Sequence, residues 1–430
     1  MKYTKIICGK LYDGIHDELM NDMEILVEDK VIKEIGKKVA CPEGTEVIDL
    51  SHLTVTPGMI DAHVHIPFFD WHDVYMDTIY NSDGYRALAG YHCAEKSLHA
   101  GFTTIRSIGW FKESYELDVK RAINEGYLPG ARMVVAPHLL GTTGSHGDLT
   151  QSVRTNPDLM DWMEHVQYKG TGDGPEFFRA AVRRDKKMGA DFIKIMATGG
   201  YATPNDDPED IQMSDAELKA IFDTAKEVHI PVTAHVYGPA LMQKLVNFGI
   251  DGMEHGSMMD KETAAMIEAA GTYLVPTFCP YQDCIENDEE TMLKKAKPFH
   301  DKLHFYQDRM IEGRRIILES KIKLGYGTDF VTIHNNYENG WEYGAWIRSM
   351  KMYFNDVDPF RVLKAATKTN AEICGVDKIT GTLEVGKCAD ITGWKKDIYD
   401  ENFLRSCGFV MKEGKTYEPE DQSETIGGRI

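Results

Sequence analysis

Two histidines, His63 and His65, sit two positions apart in TVTPGMIDAHVHI, at the end of an apolar stretch with extended character. In a strand successive side chains alternate faces, so Asp61, His63 and His65 project to one side, with Ala62 and Val64 on the other. Two imidazoles on one face can hold a metal ion. Further polar residues fall in other apolar runs: Lys194 in DFIKIMATGG, His235 in IPVTAHVYG with Tyr237 two residues on, His255 in GIDGMEHGS and Asp329 in LGYGTDF. Each has an ordinary alternative, as a lysine that snorkels to water, a histidine satisfied in a core or an aspartate that caps a turn. Their joint occurrence at the ends of separate runs is the stronger signal. Lys194, flanked by two isoleucines, would be a costly unpaired ammonium if both faces of its strand were covered.

The elements that must position these residues can be read from the rhythm of the chain. Residues 1–57 alternate short extended runs with turn signals such as Cys41-Pro42-Glu43-Gly44 and read as part of a small β module. After Pro57-Gly58, short apolar runs alternate with segments of helical period: MIDAHVHI, FTTIRSI, ARMVVAP, DFIKIMA, IPVTAHV, GIDGMEH, TYLVPTF and IKLGYGT. Eight such strands predict an α/β architecture, a (β/α)8 TIM-like barrel over 58–374, whose C-terminal strand ends converge on one rim. Helices are expected in SDAELKAIFDTAKEVH, where Ser214 and Glu217 form a capping box, and in PALMQKLVNFG and KETAAMIEAAG. From 375 to 430 extended runs return, so the two chain ends are expected to pair into one small β-sandwich domain. The charged stretch 280–320 reads as solvated helix faces. The long segments 139–190 and 198–213 read as rim loops of the kind that form lids.

From about residue 50 to 395 the chain resembles the amidohydrolase superfamily of metal-dependent hydrolases, in its binuclear form. The resemblance is carried by PGMIDAHVHI, by Lys194 in its strand, by His235 and His255 at the next two strand ends, and by Asp329. It implies that His63 and His65 bind one divalent metal ion and His235 and His255 a second. Lys194, carboxylated by carbon dioxide, would bridge the two, and Asp329 would ligate the first metal and shuttle protons. A lysine with a depressed pKa is a free amine able to add carbon dioxide, and the carbamate offers two oxygens to two cations. Such a pair shares a hydroxide nucleophile at neutral pH. Zinc suits the nitrogen and oxygen donors, although manganese, cobalt and iron are compatible.

Within that superfamily, IKIMATGGYATPNDDPEDIQMSDAEL, VTAHVYG and DGMEHGS look most like the Xaa-Pro dipeptidase and Xaa-Arg/Lys carboxypeptidase branch, the prolidase-like enzymes. The resemblance gives Tyr237 the role of hydrogen-bonding the substrate carbonyl, and more loosely gives His146, in GTTGSHGD, a part in holding the substrate carboxylate. The expected activity is hydrolysis of a peptide-like amide in a dipeptide or N-acyl amino acid. The alternatives are an imidazolonepropionase-like or other cyclic amide, lactone, urea or phosphotriester hydrolase on the same metal site, and more distantly a non-catalytic scaffold. Phe69 and Trp71 read as packing residues, and His72 does not match the family's ligand spacing.

A formal charge of −20 argues against nucleic acid or an anionic membrane as partner and leaves a small-molecule substrate. The eight cysteines form no Cys-x-x-Cys pair and no apolar run is long enough to span a bilayer, so a cytoplasmic enzyme is expected. The resemblance adds a homo-oligomer. GTLEVGKC imitates a phosphate loop but has Cys388 where a magnesium-binding hydroxyl is needed, and nucleotide binding is not expected.

Overall fold

The computed structural model describes residues 1–67, 80–110, 115–166, 170–278, 297–329, 358–400 and 402–421. Phe69, Trp71 and His72 lie outside them. The chain opens with β1 (Tyr3–Leu11), β2 (Met20–Glu28), β3 (Val31–Gly36) and β4 (Glu46–Pro57). β4 runs through Gly58 directly into β5 (Met59–Val64). A Cβ at Gly58 would lie 2.1 Å from Thr103 Oγ1, so the junction requires glycine.

The parallel strands follow: β6 (Phe102–Ser107), β7 (Arg132–Val135), β8 (Leu139–Leu140), β9 (Ile193–Met196), β10 (Val232–Val236), β11 (Gly252–His255), β12 (Tyr273–Val275) and β13 (Lys323–Leu324). Each of the eight apolar runs singled out in the sequence contains one strand of the set β5–β13, and β8 is an additional short one. β5, β6, β9, β10, β11 and β12 are buried at every position, as strands covered on both faces must be.

The parallel strands fall into two hydrogen-bonded sheets, β5-β6-β7 and β13-β12-β11-β10-β9-β8. Backbone bonds link their borders. On one side Asp191 N donates to Val135 O at 2.9 Å, and Trp110 bridges His138. On the other, Ala62 N donates to Tyr326 O at 3.0 Å and Asp329 N to His63 O at 2.8 Å. Asn370 reinforces this second border. Its Nδ2 donates to Ile60 O and Tyr326 O, both at 2.7 Å, while its Oδ1 accepts from Tyr326 N at 3.1 Å.

The expected helices are Asp215–Glu227, Pro239–Phe248 and Lys261–Ala270. The first carries the Ser214/Glu217 capping box in full. The other two end on Gly249 and Gly271 in the left-handed conformation.

β14 (Ile391–Trp394), β15 (Cys407–Lys412) and β16 (Lys415–Tyr417) return to the first module, giving one seven-stranded sheet in the order β16-β15-β14-β4-β1-β2-β3. Its own apolar core includes Ile6, Ile25, Val55, Leu383 and Ile391. Arg132 ties it to the parallel strands, donating to Thr104 Oγ1, Asp390 Oδ2 and Glu413 Oε1. No helix of the described residues is long and apolar enough to cross a membrane.

Candidate metal centre

At the C-terminal ends of the parallel strands, His63, His255 and Asp329 each present a ligand atom, all within 4.8 Å of one another. His65 Nε2 lies 3.5 Å from Asp329 Oδ1, and the His235 ring is 4.6 Å from that of His255. The sequence places these five residues apart, and the strand ends bring them together. His255 and Asp329 both have positive φ, 70° and 74°, as does Thr277 at 40° beside them. Three non-glycine residues in the left-handed region at one rim mark a strained site.

Fixed acceptors orient the rings. His65 Nδ1 meets Gly109 O at 2.9 Å, so that nitrogen carries the proton and Nε2 holds the lone pair. His63 Nδ1 is 2.7 Å from Glu254 Oε2, and His255 Nδ1 is 2.6 Å from Thr277 Oγ1. His63 Nε2 and His235 Nε2 are buried without a hydrogen-bond partner. The first stands 2.9 Å from Asp329 Oδ1. Imidazole nitrogens and a carboxylate oxygen that converge on one point are a donor set suited to a divalent cation.

The protonation states of His65, His235, His255 and Asp329 agree with that use, and His63 is the exception. Burial keeps His235 and His255 neutral, well below the ordinary imidazole pKa. It lowers His65 as well. Burial opposes a charge on His63 too, but Asp329 and Glu254 outweigh it and raise this group. Asp329 stays ionised: burial works against its charge, and the neighbouring His63 and His65 more than offset it.

Lys194 is 1% exposed in the middle of β9, and burial pulls it down to about 8, against the counteracting pull of Glu254 and Asp329. Its charge is felt by His63, His65, His235 and His255 alike. Near neutral pH an appreciable fraction is free amine, the form that can take up carbon dioxide.

Two residues the sequence reading passed over complete this layer. Glu254 accepts from Arg106 Nη1 at 2.9 Å and from Thr233 Oγ1 at 2.7 Å while holding His63. Burial opposes its charge, but Arg106 and His63 hold it below the usual carboxylate range. Arg106 donates further to Ala62 O and to Tyr273 Oη, and its guanidinium lies 3.9 Å from the centre of the Phe192 ring. An acid and a base inside wholly buried strands must find each other, and that argument, applied above only to Lys194, was available for both.

Around the centre, Tyr237 packs its ring 4.6 Å from His235 and 5.1 Å from His255. His146 stacks on His235 at 4.6 Å with the rings 21° apart. Its Nδ1 is 2.8 Å from Thr203 Oγ1, and its backbone N–H donates to Gln212 Oε1 at 3.0 Å. Both residues therefore flank His235.

Residues 54–417 match the amidohydrolase family. The chain is 27% identical to ochratoxinase of Aspergillus niger over 441 aligned positions, which take in 97% of this chain and 87% of that protein. It is similar to the crystal structure of a Xaa-Pro dipeptidase with methionine bound in its active site, with a TM-score of 0.84 and 27% identity over 97% of this chain and 100% of that one. The fold is also that of the A. niger ochratoxinase crystal structure, with a TM-score of 0.82 and 22% identity over 97% and 96% of the two chains.

Proposed function

The chain belongs to the amidohydrolase family, and from that premise we propose that it cleaves the amide of a dipeptide or N-acyl amino acid with a free carboxylate, of Xaa-Pro or Xaa-Arg/Lys type. The observation that carries the reading is the convergence of His63, His255 and Asp329 within 4.8 Å, with His65 and His235 beside them and Lys194 buried in the same framework. The likeness to a Xaa-Pro dipeptidase and to ochratoxinase supports the substrate class.

In this reading His63, His65 and Asp329 would hold one divalent ion and His235 and His255 a second, with Lys194, once carboxylated, as a shared ligand. Zinc suits these donors. When bound, the ions supply a water acidified into the neutral range and a Lewis acid for the carbonyl. Asp329, kept ionised by its histidines, accepts the proton of the attacking water and delivers it to the leaving nitrogen. Tyr237 donates its hydroxyl to the carbonyl oxygen as negative charge builds there. His146 meets the substrate carboxylate.

The reading extends to the architecture. The eight strands close as a barrel over 58–374, supported by the backbone bonds and the Asn370 side chain at the β5 border. Residues 1–57 and 375–430 form a β-sandwich domain, supported by their common seven-stranded sheet. Cys8, Cys41, Cys93, Cys374, Cys388 and Cys407 are all free thiols, which supports a cytoplasmic setting.

The test is amino-acid release from a library of dipeptides and N-acyl amino acids of varied C-terminal residue, with zinc-loaded protein in bicarbonate. Metal-dependent release favouring Pro, Arg or Lys at that end is expected. Silence across the library from protein holding two metal ions per chain would overturn the substrate class and send the search to cyclic amides, ureas and esters.

A further inference from the structure

The helix Lys297–Glu319 lies outside the parallel strands, yet three of its side chains grip the segment that follows β9. Lys302 Nζ donates to Gly200 O at 2.7 Å, Thr203 O at 2.5 Å and Asp206 Oδ1 at 2.8 Å. Tyr306 Oη donates to Asp207 Oδ1 at 2.6 Å, and Arg309 Nη2 to Glu209 Oε1 at 2.8 Å. Spacings of four and three place these residues on one face of the helix. Asp206, only 7% exposed, also accepts from Gly200 N at 3.0 Å and from the Thr203 hydroxyl. Thr203 and Asp206 are the two groups that face His146 Nδ1, at 2.8 and 3.7 Å. A Cβ at Gly200 would fall 2.1 Å from the same His146 Nδ1, so the imidazole lies directly against the Gly200 backbone that Lys302 holds.

We propose that Lys302 is a positioning residue that sets the ring of His146 over His235, through Asp206, Thr203 and the Gly200 carbonyl, and so governs recognition of the substrate carboxylate without touching the substrate. The inference deepens the proposed function and rests on its reading of His146. A methionine at 302 would keep the bulk of the stem but strand two carbonyls and the Asp206 charge, and the segment 200–206 would lose the anchor against which the ring rests.

The experiment compares Lys302→Met, Lys302→Arg and Tyr306→Phe in the zinc-loaded enzyme, with one dipeptide and its C-terminal carboxamide. In parallel the His146 ring signal, identified by its loss in His146→Gln, is followed by proton–carbon correlation NMR. Lys302→Met is expected to raise KM for the free acid about 10- to 100-fold with kcat little changed, to leave KM for the carboxamide as in wild type, and to move the His146 signal. Lys302→Arg should recover much of the KM, and Tyr306→Phe, which breaks only the Asp207 bond, should match wild type. An unmoved His146 signal in Lys302→Met overturns the proposal, and so does an equal rise in KM for acid and carboxamide. Should Lys302→Met fail to fold, Asp206→Asn carries the same two expectations. If wild-type enzyme cleaves no amide at all, the proposed function falls, while the NMR comparison still decides whether Lys302 places His146.

Discussion

Glu254 and Arg106 form an ion pair of 2.9 Å in which neither side chain is more than 1% exposed, and the free oxygen of that carboxylate holds His63 Nδ1 at 2.7 Å. One carboxylate thus neutralises a buried base and fixes the orientation of a metal-facing ring. Glu254→Gln should weaken metal binding about 10- to 100-fold. It should also cost roughly 3–5 kcal/mol of stability, because Arg106 is left charged and uncompensated. Metal titration and urea unfolding measure the two effects separately. Adding Arg106→Met should restore much of the stability and none of the metal affinity.

Lys194 gives a pH signature in metal-free protein freed of carbon dioxide. Its folded pKa of about 8 lies below the 10.5 of an ordinary lysine, so the folded state binds fewer protons than the unfolded between those values. Stability therefore rises with pH through that window, since the cost of burying the ammonium is present in full below pH 8 and gone above 10.5. The gain is on the order of 3 kcal/mol and should be missing from Lys194→Met, as urea titrations at stepped pH will report. In the loaded enzyme Lys194→Ala should lose activity, with partial return on adding a short carboxylic acid.

Tyr237 offers a separation of binding from chemistry. Tyr237→Phe retains the ring packed on His235 and His255 and removes only the hydroxyl. A fall in kcat of roughly 100-fold with KM little changed is expected in steady-state assays. A rise in KM alone would assign Tyr237 to substrate binding.

Asn370 supplies three hydrogen bonds to backbone groups of Ile60 and Tyr326, beside the direct Ala62–Tyr326 backbone bond across the β5 border. Asn370→Ala should cost about 2–4 kcal/mol, and the Tyr326 amide should exchange with solvent sooner than its neighbours. Hydrogen exchange followed by mass spectrometry tests this.

The strands and the six polar residues in and just after them were readable because each is a polar side chain set in an apolar run, a contrast local to a few positions. The Ser214/Glu217 box was readable for the same reason. What escaped is relational. Glu254 reads as the polar neighbour of His255 until Arg106, 148 residues earlier, is seen to meet it. Lys302 lies in a stretch whose charge density suggests a solvated helix, and Phe305, 79% exposed, does face water. Its contacts with Gly200, Thr203 and Asp206, 96 to 102 residues earlier in the chain, separate this lysine from its neighbours. Asn370 carries no local sign of its task, since the groups it joins belong to strands distant in sequence. A single chain records what each residue is, whereas these roles depend on which partners the fold supplies.

The seven-stranded sheet imposes an order on the birth of the protein. β4 is flanked by β1, made before it, and by β14, where Thr392 bonds to Pro57 at a distance of 335 residues along the chain. At ribosomal speeds of about 5–20 residues per second, one edge of β4 waits roughly 20–70 s for its neighbour. Through that interval an unpaired strand edge is open to other chains, and the nascent protein depends on chaperones or on rapid collapse of the parallel strands to shield it.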